Sequence, residues 1–124
     1  MASLVVLNGP LIRAGESLSE GINTQDRDIV RLTMPSEWDN APISFQFSTD
    51  GTFYNDLFHV SGVPGSYTAF EVVLTQVEAG VGVVVPIGFS RGIVWFKVRS
   101  GTRDTPVEQS ADRNFALSTY TGSV

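Results

Sequence analysis

Residues Ile43–Phe58 read ISFQFSTDGTFYNDLF, and this stretch sets the fold class. From Ile43 to Ser48 large apolar and small polar residues alternate strictly. Ile43, Phe45 and Phe47 therefore share one face of a strand. Ser48-Thr49-Asp50-Gly51 follows as a turn, because Asp-Gly supplies the positive φ of a tight hairpin. Thr52–Val60 is then expected as the returning strand, bulged near Asn55-Asp56. An alternating strand, an Asp-Gly turn and a β-rich return together are the signature of antiparallel β structure.

The same grammar runs outward in both directions. Toward the N-terminus, Asp28–Met34 is predicted as a strand with Val30, Leu32 and Met34 on one face and Arg31 and Thr33 on the other. Pro35 ends it, and Ser36–Pro42 is a connection carrying Trp38. Gly15–Gln25 reads as a loop, with a single helical turn at Glu16–Glu20 as the competing reading. Ser3–Leu7 is predicted as a strand stopped by Asn8-Gly9-Pro10, with Leu11-Ile12 as a short strand or turn. Toward the C-terminus, Ser61–Ser66 is expected as a loop and Tyr67–Val77 as one long strand with Phe70, Val72 and Leu74 on one face. Glu78–Gly82 and Gly88–Gly92 are turns around an apolar strand Val83–Ile87. Ile93–Arg99 is a strand with Val94, Phe96 and Val98 inward and Lys97 and Arg99 outward. Ser100–Asn114 is a long polar loop, of a length expected to be functional or ordered by a neighbour. Phe115–Thr119 is the last strand.

Eight or nine short strands, joined by short connections except for two long ones, predict an all-β fold: an antiparallel β-sandwich, jelly-roll-like. The 124 residues form a single β-sandwich domain, residues 1–124, with residues 1–13 expected as an extended N-terminal arm. By surface scaling such a chain buries about two-thirds of its unfolded surface, enough for one core without staples.

Composition removes many chemistries. There is no cysteine, so disulfides, thiol nucleophiles and Cys-based metal sites are excluded. There is one histidine, His59, which leaves no multi-His metal site within the chain. The net charge is −5, with 8 basic against 13 acidic residues, which argues against nucleic acid as a partner. The N-terminus lacks the basic region and apolar length of a signal peptide. The longest apolar run, Val81–Phe89, holds two Gly and a Pro and does not span a bilayer as a helix. No membrane partner is expected, and the chain reads as made in a cytoplasm.

Catalytic constellations are weak. A Ser–His–Asp set would need His59 as base, beside Ser61, but a strand histidine with a local hydrogen bond explains it, and no Gly-x-Ser-x-Gly elbow is present. The carboxylates Asp26, Asp28, Asp39, Asp50, Asp56, Asp104 and Asp112 sit in turn sequences, which accounts for them without a glycosidase dyad. Asp50, Asn55 and Asp56 cluster in one hairpin and invite calcium, yet their spacing is not that of an EF-hand, and turn formation is the plainer reading. The chain is expected to be no enzyme and to hold no cofactor.

Surface recognition remains. Trp38, Tyr54, Tyr67 and Trp95 would stack on sugars or fill a core or protein interface, the latter favoured. Lys97 is the only lysine, and Arg is the interface cation. Arg99, Arg103 and Arg113 interleave with Asp104, Glu108 and Asp112, either pairing internally or meeting an acidic neighbour. A mean hydropathy slightly above zero in so small a domain suggests apolar surface covered by partners. The candidates for partner contact are Leu4, Val6, Trp38, Trp95, Arg99, Arg103 and Arg113.

Ile43–Phe58 together with Val94–Leu117, VWFKVRSGTRDTPVEQSADRNFAL, resembles small tailed-bacteriophage virion proteins of β-sandwich type. The shared features are a Trp-containing connection before an aromatic strand, the Ser-x-Asp-Gly hairpin, and a strand ending Lys-Val-Arg-Ser-Gly before a Pro/Gln loop. The resemblance covers about 60% of the chain and supplies no catalytic residues. By analogy with phage jelly-roll cement proteins it implies a structural virion component, and the first expectation is a capsid decoration or cement protein bound to the major capsid protein or other virion proteins, as a homo-oligomer. Its alternatives are a tail, neck or head-fibre subunit, and a glycan-binding β-sandwich module.

Overall fold

A computed structural model describes residues 3–86 and 89–121. Met1 and Ala2 of the expected arm, Ile87 at the end of the expected strand Val83–Ile87, and Gly88 of the following turn lie outside the described residues.

The structure is all-β. The strands are β1 Ser3–Ile12, β2 Ile22–Asn23, β3 Asp28–Thr33, β4 Ile43–Ser48, β5 Asn55–Asp56, β6 Phe58–Val63, β7 Ser66–Glu71, β8 Val73–Leu74, β9 Gly82–Val84, β10 Trp95–Ser100 and β11 Arg113–Thr121. One sheet runs β1-β11-β3-β9 and a second runs β2-β10-β4, with β5 and β8 both pairing with β4; β6 and β7 form a separate hairpin. Every pairing is antiparallel. β1 pairs with β11, β2 with β10, β3 with β9 and β4 with β8. The chain is thus a ribbon folded back on itself, then wrapped so that β11 also meets β3 and β10 also meets β4.

The two sheets enclose one apolar core. Ile43, Phe45, Phe96 and Val98 face Ile12, Ile29, Leu32, Phe115 and Leu117, all buried. Phe45 stacks on Phe96 at 5.3 Å between centroids, and Phe89 meets both edge-on. These rings supply much of the burial that stabilises the sandwich.

Several expected boundaries move, each for a local reason. Asn8-Gly9-Pro10 does not stop the first strand. β1 passes through it by a register shift between Asn8 and Leu11, and so absorbs Leu11-Ile12. In β3 the inward residue is Ile29, not Val30. Ile29 pairs with Thr119 and Arg31 with Ser118, so Val30 is a bulged extra residue that resets the alternation. β4 ends at Ser48, before Asp50-Gly51, as expected, but its return is only the two residues of β5, reached after residues 49–54 and not across a tight two-residue turn. Phe58–Val63 pairs instead with Ser66–Glu71, in perfect register around Pro64-Gly65. The expected loop Ser61–Ser66 is therefore mostly strand, and the expected strand Tyr67–Val77 breaks into β7 and β8. Glu16–Glu20 forms no helical turn.

Candidate interaction surface

The β6–β7 hairpin projects from the sandwich. Every residue from Phe58 to Phe70 is exposed, and the segment carries no Asp, Glu, Lys or Arg. By the register, Phe58, Val60, Tyr67 and Ala69 lie on one face and His59, Val63 and Phe70 on the other. Phe58, Val60, Val63, Tyr67 and Phe70 are 42–65% exposed. A lone two-stranded ribbon is only marginally stable in water, and apolar side chains on both its faces make solvent a poor environment for it.

Its base is fastened by charge. Asp56 lies two residues before the hairpin and Glu71 ends it. Arg99, in β10, grips both: Nη1 donates to Asp56 Oδ1 at 2.7 Å and Nη2 to Glu71 Oε2 at 3.1 Å. Its Nε donates to Ser44 Oγ at 2.9 Å. Arg103 adds a bond from Nε to Asp56 Oδ2 at 3.0 Å, and its backbone N–H donates to Glu71. Burial alone would raise the Asp56 carboxyl, but hydrogen bonds from Arg99 and Gln46 and the Arg99 charge outweigh it and hold the group below its ordinary value. Two carboxylates flanking one buried guanidinium fix both legs of the hairpin to the second sheet.

A second polar cluster pins the long loop Gly101–Asp112. Arg113 is buried, donating from Nε to Gln109 Oε1 at 3.0 Å and from Nη2 to Asp39 Oδ1 at 3.1 Å. Gln109, 1% exposed, also donates to Ser100 Oγ and the Asp39 carbonyl. Bonds from Ser110 hold the Asp39 carboxyl below its ordinary value, with the Arg113 charge adding to them. The loop is therefore ordered by its own chain and needs no neighbour to shape it.

These clusters correct the expectation for two candidates. Arg99 and Arg113 are 7% and 5% exposed and committed to internal pairs, so neither offers its charge to a partner. Their carboxylate partners come from segments distant in sequence, which the local interleaving of charges did not reveal. Arg103 is exposed, but its guanidinium is occupied by Asp56 and lies 5.8 Å from the Phe58 ring. Trp38 is half-buried; its Nε1 donates to the Ala41 carbonyl at 3.0 Å and its ring meets Phe115 edge-on. Trp95 is half-buried and lies so close to Gly51 that a Cβ there would come within 2.8 Å of the indole. Beside it Lys97 Nζ sits 4.2 Å from the Tyr54 ring centre. Leu4 and Val6 are exposed at 64% and 57% on the outer face of β1.

The residues weighed for chemistry are spread apart. His59 sits on the projecting hairpin, tilted against Phe70. Asp50 is consumed by its turn, accepting from Ser48 Oγ and from the N–H groups of Thr52 and Phe53, which brings its carboxyl down to about 2. Asp56 belongs to the arginines. Among the described residues no group of three or more His, Asp or Glu is placed to hold a metal ion. Among the described residues no helix is long and apolar enough to cross a membrane. An open groove of about 580 Å³ lies at the hairpin base, lined by residues including Phe47, Leu57, His59, Val72, Phe89 and Ile93.

The hairpin was the part that sequence reasoning missed. The signal was present: Val-Pro-Gly-Ser at 63–66 between two uncharged β-rich runs is itself a turn. No family model, curated protein or solved structure matches the chain.

Proposed function

We propose that this chain is a non-enzymatic structural subunit of a tailed-bacteriophage virion, a capsid decoration or cement protein that binds across joints between major capsid subunits. The observation that carries the reading is the projecting, uncharged β6–β7 hairpin, apolar on both faces and clamped at its root by Arg99. Such an arm gains free energy only when another protein surface covers it, and its rooted base lets that gain act on the whole domain. Burial across a joint favours the assembled shell by mass action.

The strand order supports a jelly-roll reading of the sandwich. What supports it is a ribbon of four antiparallel pairs wrapped into sheets β1-β11-β3-β9 and β2-β10-β4-β8, with β5 and the β6–β7 hairpin inserted between β4 and β8. The hairpin carries the part of the proposal that concerns binding to another protein; its virion part extends the resemblance read in the sequences Ile43–Phe58 and Val94–Leu117. A tail, neck or head-fibre position uses the same arm, and copy number per particle separates it from a shell position.

The test is occupancy on purified phage heads lacking this chain. The native chain saturates the shell sites, and a Val60→Asp/Tyr67→Asp variant, altered only at exposed positions, loses occupancy at least ~100-fold. Equal occupancy of native and variant chains overturns the role of the arm. Absence of the native chain from every virion fraction overturns the assignment.

A further inference from the structure

The free edge of β1 is a second surface, on a different element. Within the two sheets of the sandwich the other edges are short: β2, β5 and β8 have two residues each and β9 three. β1 has ten, with β11 on one side and no described strand on the other. Its far half is blunted by the register shift and Pro10, both devices that discourage strand addition. The near half, Ser3–Leu7, has no charge, no proline and no bulge. The neutral run extends from Ser3 to Ile12 in a chain of net charge −5, so a second copy meets no like charge along this strand.

We propose that Ser3–Leu7 pairs antiparallel with the same segment of a second copy across a two-fold axis at Val5, joining two four-stranded sheets into one of eight strands. A two-fold axis perpendicular to a sheet must set one residue opposite itself. With Val5 at the axis, Leu4 falls opposite the partner's Val6, and Val6 opposite the partner's Leu4. Leu4 and Val6 share the outer face, because they pair with Tyr120 and Ser118 of β11 while inward Leu117 and Thr119 pair with Leu7 and Val5. The register therefore gathers the two Leu4 and the two Val6 side chains into one apolar quartet, flanked by Tyr120 at 39% exposure. Cross-strand apolar pairs of this kind are the unit of sheet stabilisation, and main-chain bonds along the edge complete the junction. Arg27, beside the segment, is occupied on the inner side, donating to Ser3 Oγ at 2.8 Å, to the Ser3 carbonyl at 3.3 Å and to Thr119 Oγ1 at 3.2 Å. This inference does not depend on the virion reading.

Light scattering on the purified chain over a concentration series tests it, together with single-cysteine cross-linking, which the cysteine-free sequence makes unambiguous. The native chain runs as a dimer at high concentration. Leu4→Lys/Val6→Lys, which sets lysines opposite each other, weakens the dimer at least ~10-fold, and Leu4→Lys/Val6→Glu, which sets opposite charges face to face, restores it. Val5→Cys forms an intermolecular disulfide on oxidation, whereas Leu4→Cys and Val6→Cys alone do not. A native chain that stays monomeric overturns the proposal. So does a dimer that both lysine substitutions leave intact, or one lost only when the β6–β7 hairpin is truncated.

Discussion

Arg99 shows how far a single side chain's role depends on segments remote in sequence. Its alternation in β10 points it to the outer face, as the pattern predicts, yet Asp56, Glu71 and Ser44 roof it over. Arg99→Met leaves two part-buried carboxylates without their shared cation, and urea unfolding should show a loss of about 3 kcal/mol. Arg103→Met, at an exposed guanidinium, should cost under about 1 kcal/mol in the same assay. The carboxylates make a pH prediction. Asp50, Asp39 and Asp56 all titrate below their ordinary value when folded. A carboxyl lowered by folding contributes stability that is present above its unfolded value of 3.8 and lost as pH falls through the folded one. Melting temperature should therefore fall between about pH 4 and pH 2, and less steeply in Asp50→Asn. The role of Asp50 was legible in Ser-Thr-Asp-Gly, because its bonds are made within three residues. The roles of Arg99 and Arg113 were not, because partners 43 and 74 residues away leave no local pattern.

At the scale of elements, alternation located strands well and bulges misplaced their faces. β4 was readable to the residue, since its alternation is unbroken and its turn is explicit. β3 was found, but its inward set was shifted by the one extra residue at Val30. The shift is checkable: Ile29→Ala should cost about 3 kcal/mol by leaving a cavity under the first sheet, and Val30→Ala under about 1 kcal/mol. β1 was cut short because Gly-Pro reads as a terminator, whereas an edge strand tolerates a missing donor on its open side. The hairpin was the largest misreading. Thr52–Val60 looked like one return strand, and only the competition between β4 and β7 for Phe58–Val63 decides that pairing. Alternation says that a strand exists and does not name its neighbour. Amide exchange should reflect the outcome, with β6 and β7 exchanging well ahead of β4, β10 and β11, whose amides lie over the core.

At the scale of the molecule, the sandwich was legible in composition and period, and its core residues largely so. The arm that distinguishes it was not, since exposure of apolar side chains runs against the rule that placed the others inside. The folded-back ribbon has a further consequence, for how the domain assembles in time. Ser3 and Thr121 are direct cross-strand partners, so the ladder between the first and last strands closes nearly the whole chain as a loop. Ladders of that span form late and slow folding. A circular permutant that links Thr121 to Ser3 through a short turn, and opens the chain between Pro64 and Gly65, converts the most distant pairing into the most local one. Its equilibrium stability should stay within about 1–2 kcal/mol of the parent's, while stopped-flow refolding should be roughly tenfold faster or more. The order in which strands meet would be rewritten with every core contact left in place.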